Sequence, residues 1–235
     1  MFGFAKPNYG CKAWSLNFSR FECKVTRTGR VPTNWKADKH MAKAVKDTRE
    51  QLLDAAQELI QRRGVNAMSF QDLSDAVGIR KASVHHHFSS KAEMVSALMQ
   101  RYLTVFAGVV RGILESRVNG KSKLRRYCNV FVETLKAGEQ DKGCLCGMLM
   151  AEMLSLDKDA MDLIHQFLKD NLDCVESIIT EGIQDGSLSR QSSIKGAAQL
   201  VLATMEGGLL VARCGGGPKQ LADIAGRLVA CLSAG

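Results

Sequence analysis

The stretch SFQDLSDAVGIRKASVHHHFSSKAE, residues 69–93, restricts the possible folds more than any other part of this 235-residue chain. It opens with Ser69 and, three residues later, Asp72, a spacing typical of a capping box at the start of a helix. Gly78 is then placed to end that helix. The pattern therefore predicts a short helix between the serine cap and the glycine.

A second short helix is predicted directly after this glycine. Val84 and Phe88 are four residues apart, so they lie on one helical face and can seat the helix on an apolar surface. Ser90 and Glu93 repeat the capping box and start the next helix. Two short helices joined by a glycine-containing turn predict a helix-turn-helix unit.

Helical periodicity also accounts for the rest of the chain from residue 47 onward. A first helix runs into Gly64, and beyond residue 94 there is neither an alternating strand pattern nor a repeat of fixed period. The predicted fold class is all-α, with a three-helix head at 47–93 and a larger helical body at 94–235. The body helices are predicted at roughly 91–117, 121–137, 144–155, 158–185, 191–213 and 218–233.

Residues 1–46 have a different composition. They contain ten Lys or Arg against two acidic residues, which equals the net charge of +8 of the whole chain, so that charge carries no information about the rest. We expect a mostly disordered extension. Three interpretations of this extension are open: a basic arm that contacts phosphates, a targeting peptide, or sequence upstream of a true start at Met41. We favour the last, because MAKAVKDTREQLL runs directly into the first helix.

Composition also narrows the setting of the protein. We find no secretory signal at the N-terminus and no apolar run that approaches the ~20 residues of a membrane span, so we expect a cytoplasmic protein with no membrane partner. Its eight cysteines are then expected to be reduced thiols. None forms a C-x-x-C pair, so no metal site and no cofactor is predicted.

Residues 47–93 resemble the TetR family of bacterial transcriptional regulators. The likeness lies in RRGVNAMSFQDLSDAVGIRKASVHHHFSSKAEM, while GCLCGMLMAE and MEGGLLVAR look like parts of the family's ligand-binding and dimerising region. The resemblance implies a homodimer whose short helices enter the major grooves of double-stranded operator DNA. It also implies pairing of the last two helices between subunits, release from DNA by a small-molecule inducer, and no catalysis.

Particular side chains are predicted to contact DNA. Arg80, Lys81 and Ser83 lie at the N-terminal end of the recognition helix, the end that faces base edges. His85 stands where the family often has a tyrosine that contacts the DNA backbone. The alternative for each polar residue is a helix cap or a solvated surface position. The residues assigned to phosphates are Thr48, Ser69, His85, His86 and Lys91.

The three consecutive histidines do not predict a metal site. Neighbouring residues on a helix point about 100° apart, so His85, His86 and His87 cannot face one ion together. They also lack a nearby nucleophile and acid, so a catalytic centre is not predicted.

The body offers candidates for a ligand or sensor site. Cys144 is predicted at the first turn of a helix and next to Lys142, where the helix dipole and the cation favour a thiolate. Some family members that respond to electrophiles have a cysteine in a similar Gly-Cys context, so a thiol-reactive inducer is one hypothesis. The alternative is ordinary burial, which we favour for Cys146. The other pocket candidates are Phe106, Met148 and His165.

Two further function classes remain open at the level of the sequence. One is a cysteine-dependent enzyme on a helical scaffold, with Cys144 as nucleophile and His165 or Glu152 as base. The other is a membrane-associated helical protein anchored by the basic extension. Neither of them accounts for the pattern at residues 64–93.

Overall fold

The chain folds through a succession of α-helices in the computed structural model, which describes residues 47–137 and 140–234. Within those residues there are nine α-helices and no β-strand, so the predicted all-α class is confirmed. A 3₁₀ turn, Met153–Ser155, follows α6, and a π-helical segment, Ala212–Gly216, follows α8. The α-helices are α1 Thr48–Arg63, α2 Phe70–Val77, α3 Lys81–His87, α4 Lys91–Leu114, α5 Gly120–Ala137, α6 Leu145–Ala151, α7 Lys158–Gln184, α8 Ile194–Val211 and α9 Gly217–Leu232.

The first three helices form the predicted head because each buries one apolar stripe. In α1 the buried residues Leu52, Ala56 and Ile60 recur at helical spacing. The side chains of Val84 and Phe88, predicted to seat α3, are both 0% exposed. Helices of seven or eight residues are marginal alone, so the two short helices obtain their stability from packing, α2 against α1 and α3 against α2.

The body is built around α7, which packs against α4, α5 and α8. Its centre holds one buried polar contact, in which the Tyr127 hydroxyl donates to Asn171 Oδ1 at 2.7 Å. The Asn171 amide donates in turn to the Phe167 carbonyl at 2.8 Å. Both buried polar side chains thus have partners, as polar groups in an apolar interior require.

Several predicted helix boundaries differ from the observed ones. The helix predicted at 91–117 ends at Leu114, and two other differences have a local cause. The helix predicted at 144–155 ends at Ala151 and continues as the 3₁₀ turn, whose Leu154 side chain is 97% exposed. The helix predicted from 191 begins at Ile194, because the Ser193 side chain accepts the Gly196 N–H and caps it there. Local capping and exposure decided both boundaries.

One described stretch, Ile194–Leu232, is long and apolar enough by length and composition to cross a membrane. It is α8, the π-helical segment and α9, and the backbone leaves helical geometry at Gly215. A Cβ at Gly208 would contact Leu221 and Ile224, so the chain turns back and the two helices pack side by side. The stretch is thus a folded pair of helices rather than one continuous span.

The predictions made for the extension at 1–46, including a start at Met41, lie outside the residues that the structure describes.

The crossing of α5 and α7 yields a stability prediction. A Cβ at Gly120 would lie 2.2 Å from the Gly182 Cα, so Gly120→Ala must push two backbones apart. We expect it to lower the free energy of unfolding by about 1–3 kcal/mol, the usual range for overpacking. Urea denaturation followed by circular dichroism measures this loss.

The matched control is Gly108→Ala within α4, where an added Cβ meets nothing within 4 Å. That substitution should be neutral or should stabilise by up to ~1 kcal/mol, because alanine is the better helix former. Equal effects of the two substitutions would contradict the close approach at Gly120.

Candidate DNA interface and the sites behind it

Local hydrogen bonds fix both the start of α2 and the turn that joins α2 to α3. Ser69 and Asp72 form the predicted capping box, and Arg63 pairs with Asp72 at 2.7 Å. Hydrogen bonds from Ser69 and the ion pair keep the pKa of Asp72 well below its usual value. Gly78 takes the left-handed conformation that ends α2, and the Ser74 hydroxyl donates to the Ile79 carbonyl at 2.6 Å. The two short helices are therefore locked at a defined angle.

The recognition helix α3 is seated by its two apolar residues and leaves its polar residues outside. Arg80, Lys81 and Ser83 are exposed at its N-terminal end, as predicted. None of the described residues forms an ion pair with Arg80 or Lys81, whereas Asp72 and Glu93 of the neighbouring helices are bound to Ser69 and Ser89. This end of the helix therefore presents two unpaired cations to the outside.

The residues predicted to contact phosphates differ in how exposed they are and in whether they already have a hydrogen-bond partner. Ser69, His85 and His86 are exposed, and the His85 ring packs edge-on against Phe70 with its centroid 4.9 Å away. Thr48 is half-buried at the start of α1. Lys91 differs most from the expectation of a free phosphate ligand. Its ammonium donates to the Val65 carbonyl at 3.0 Å, so it already holds the head together.

No cluster of metal-ligating residues is present in the described parts of the chain. The His86 and His87 rings contact each other edge-on, with centroids 5.5 Å apart, rather than converging on one point.

The C-terminal end of α1 connects the head to the body. The Gln61 carbonyl accepts the Gly143 N–H at 2.9 Å, while the Gln61 side-chain amide donates to the Gly143 carbonyl at 3.0 Å. The next carbonyl, that of Arg62, accepts Nη2 of Arg213 from the end of α8 at 2.9 Å. The last carbonyls of a helix have no hydrogen-bond donor within the helix, and here residues of the body donate to two of them.

A second connection lies at the other end of α6. Glu152 Oε2 accepts the N–H groups of Val65 and Asn66, at 2.5 and 3.0 Å. Gly64, which has a φ of +86°, leaves the room that this carboxylate occupies, since a Cβ there would lie 2.5 Å from Glu152 Oε1. The residues at both ends of α6 are thus hydrogen-bonded to the head: Gly143 to the last turn of α1, and Glu152 to the segment that joins α1 to α2.

The environment of Cys144 differs from the one predicted. The residue does cap α6, but it is buried, and burial with the nearby Glu206 carboxyl raises the pKa of its thiol well above the usual value. Lys142, expected to stabilise a thiolate, pairs instead with Glu58. The predicted thiolate is therefore wrong for this structure, because desolvation outweighs the helix dipole.

Glu206 of α8 is the polar partner of Cys144. Its Oε1 atom is inaccessible to solvent and has no hydrogen-bond partner among the residues that the structure describes. Burial raises the pKa of this carboxyl to about 7, and a hydrogen bond with Cys144 opposes the rise only in part. Gly147 allows the approach, because a Cβ there would stand 2.5 Å from Glu206 Oε2.

The remaining candidates of the body separate into interior and surface. Phe106 packs with Tyr102 and Phe167, and Cys146 lies fully buried with its thiol 3.9 Å from the Met99 sulfur. The Met148 sulfur contacts Nη1 of Arg213 at 3.1 Å. His165 lies on the exposed face of α7, so it does not line the interior as predicted.

Sequence reasoning did not single out Glu206 or Arg213, and it considered Glu152 only as the base of a possible enzyme. A signal did exist for the first of these, because Glu206 is the only acidic residue in α8 and stands in an apolar run. Nothing local marked Arg213 or the structural role of Glu152, whose partners are 65 to 151 residues away in the chain.

Two models of known protein families match this chain. Residues 52–98 match the family model described as "Bacterial regulatory proteins, tetR family", and residues 120–226 match the one described as "Tetracyclin repressor-like, C-terminal domain". The chain belongs to the TetR family. The predicted resemblance is thereby confirmed, and it extends from the head to most of the body.

Individual relatives agree with this assignment. The repressor KstR2 of Rhodococcus jostii is 34% identical over 89 residues, which are 38% of this chain and 44% of that protein. The chain therefore spans less than half of the length of this relative. Two TetR-family crystal structures, from Agrobacterium tumefaciens and Legionella pneumophila, have TM-scores of 0.73 and 0.72. Their identities are 28% and 25%; the matches cover 80% and 81% of this chain and 98% and 100% of theirs.

The burial of Cys144 leads to a testable prediction about thiol reactivity. In the native protein Cys144 should remain unmodified by iodoacetamide over a period that fully alkylates it in the urea-unfolded chain, because neither solvent nor a thiolate is available. Peptide mass mapping of the alkylated cysteines measures this. Buried Cys128 and Cys174 serve as matched controls. Equal labelling of Cys144 in native and unfolded protein would contradict the structure.

Proposed function

We propose that this protein is a homodimeric transcriptional repressor that binds operator DNA through α2 and α3 and is released by a small molecule bound in its body. The observation that carries the proposal is the exposed N-terminal end of α3, with Arg80 and Lys81 unpaired on a helix that two buried residues seat firmly. Such an end suits the major groove, where Arg and Lys read guanine. The repressor names of relatives such as KstR2 support this direction of control.

Dimerisation is proposed through the outer faces of α8 and α9. The side chains of Leu200, Leu210 and Val211 are 57%, 45% and 57% exposed, which is unusual for large apolar residues grouped on one helix. The adjoining face of α9 presents small exposed residues four apart, Ala222 and Gly226, which allow a helix to approach closely. Two copies that pair these faces would bury an isologous apolar surface.

Ligand response is proposed to pass through α6. This helix touches the interior at Cys144 and Gly147 and holds the head through Gly143 and Glu152. A ligand that moves α6 changes the position of both connections, and therefore the separation of the two heads in a dimer. That dependence is a coupling free energy between two sites, so operator DNA must also weaken the binding of the ligand.

The alternative of a cysteine-dependent enzyme has little support in the geometry. The polar neighbours of the Cys144 thiol are Tyr102 and Glu206. Glu152 is bound to backbone N–H groups of the head, and His165 is on the surface. A nucleophilic cysteine needs a neighbour that favours its thiolate. Glu206 is within hydrogen-bond reach, but its negative charge adds to the effect of burial and raises the pKa of the Cys144 thiol.

The experiment that tests the function is a mobility-shift titration at fixed salt. The DNA flanking the protein's own gene is compared with a scrambled duplex, using the full chain and a version that starts at Met41. A dissociation constant at least ~10³-fold lower for the flanking DNA would support a sequence-specific regulator. The proposal would be overturned if the protein bound both duplexes with equal affinity and if selection from a library of genomic fragments also yielded no preferred sequence.

Recognition-helix variants test which residues carry it. Lys81→Ala and Arg80→Ala should each weaken operator binding by about 1–3 kcal/mol, because each removes a cation from the end that meets the DNA. Arg125→Ala, which removes an exposed cation from α5, is the matched control and should leave the affinity unchanged. If all three variants lose affinity equally, the contact surface has been placed wrongly.

A further pair of variants tests the dimer. Leu200→Glu should convert the dimer to a monomer, because it buries a charge without a partner in the apolar face. Size-exclusion chromatography with light scattering should report a fall from twice the chain mass to the chain mass. Leu154→Glu is the control, since Leu154 is 97% exposed but lies outside α8 and α9. A Leu200→Glu protein that stays dimeric would place the interface elsewhere.

A further inference from the structure

Glu206 is an acidic group in the interior for which the described residues supply no cation. The groups that interact with its carboxyl are Tyr102 of α4, Tyr127 of α5, and Cys144 and Cys146 of α6, all of which are neutral when protonated. Arg213, seven residues further along the same chain, is engaged by the Arg62 carbonyl and the Met148 sulfur. A buried carboxylate is normally paired, so its partner is expected to come from outside the chain.

The hydrogen bonding of Glu206 is also incomplete. Its Oε1 atom is buried without a donor, and the thiol of Cys144 is its only donor among the described side chains. A thiol is a weak donor. An ammonium group would replace it by a charge-assisted hydrogen bond, which is shorter and roughly twice as strong as a neutral one.

The Cys144 thiol, which contacts the Glu206 carboxyl, also lies next to a group of aromatic rings. The Tyr102 hydroxyl lies 3.9 Å from the Cys144 sulfur, and the Tyr102 ring stands 6.5 Å from Phe106 and 5.7 Å from Phe167, measured between centroids. The Phe106 and Phe167 rings are 4.8 Å apart. The faces of such rings attract cations, and their apolar bodies accept hydrocarbon. An acid and three aromatic rings, linked through Cys144, are the chemical groups that recognise an organic cation.

We propose that the body binds an amine-bearing organic cation, whose ammonium donates to Glu206 Oε1 and whose apolar part packs against Tyr102, Phe106 and Phe167. The proposal rests on the proposed function, since it names the chemical class of the inducer. Displacement of Cys144 from the carboxyl moves the start of α6, which is next to the Gly143 that holds Gln61. The cation thereby acts on the same helix that holds the head.

Proton linkage follows from the position of this carboxyl. Its pKa is about 7 in the unliganded protein, so about a tenth of the molecules carry the carboxylate at pH 6 and about nine-tenths at pH 8. A cation binds the ionised form, so its affinity should rise by about tenfold between these pH values. Binding near pH 6.5 should release a proton.

Isothermal titration calorimetry of the full chain tests the proposal, with 2-phenylethylamine, which is an ammonium throughout this pH range, and neutral 2-phenylethanol as probes. We expect the amine to bind about tenfold more tightly at pH 8 than at pH 6. The alcohol should bind more weakly and without this dependence. Glu206→Gln should lose at least tenfold in amine affinity, whereas Glu115→Gln, which neutralises an exposed acid at the end of α4, should not.

A measurement on the unsubstituted protein keeps the test valid if Glu206→Gln fails to fold. Titrations at pH 6.5 in two buffers of different ionisation enthalpy report the number of protons released. Amine binding without proton release, or no amine binding, would overturn the cation site. A protein that binds its operator but not the amine leaves the proposed repressor intact and refutes this inference. Proton-linked amine binding by a protein that binds no operator supports the site and refutes the repressor.

Discussion

The structure depends on the hydrogen bonds that the last carbonyls of α1 accept from other segments of the chain. Three consecutive carbonyls there, of Ile60, Gln61 and Arg62, accept from Gly64, Gly143 and Arg213. The first donor belongs to the head, the second to the segment before α6, and the third to the end of α8. Because unpaired carbonyls are costly in a partly buried position, the head cannot separate from the body without losing these bonds.

This arrangement places α6 between two chemically different regions. On one side the Glu152 carboxylate and Gly143 hold backbone groups of the head. On the other side Cys144 and Gly147 contact the buried carboxyl of Glu206. A helix of only seven residues has little internal stability and takes its position from these neighbours. A change in the charge or partner of Glu206 therefore acts on the helix whose two ends hold the head.

Prediction from sequence worked where the physics is local. The capping box at Ser69, the Ser90 cap, the left-handed turn at Gly78 and the seating of Val84 depend on residues within a few positions of each other, and they are present. The box predicted at Ser90 is only half formed, because the Glu93 carboxylate accepts from Ser89 instead of the Ser90 N–H. Prediction failed where the surroundings came from distant segments. Cys144 was expected to be a thiolate because Lys142 is two residues away, but Lys142 faces Glu58 and Cys144 faces Glu206. Lys91 was expected to be free for phosphate, but its partner, Val65, is 26 residues upstream.

The sequence by itself determined the all-helical class, the helix-turn-helix and the residues that α3 exposes. The reason is that helical period, caps and turn residues act over one or two turns of chain. The tertiary structure alone decided that Glu206 Oε1 is buried without a donor among the described residues, that the residues at both ends of α6 hold the head, and that His165 is on the surface. Desolvation and long-range hydrogen bonds depend on which segments meet in space, and no spacing along the chain encodes that directly.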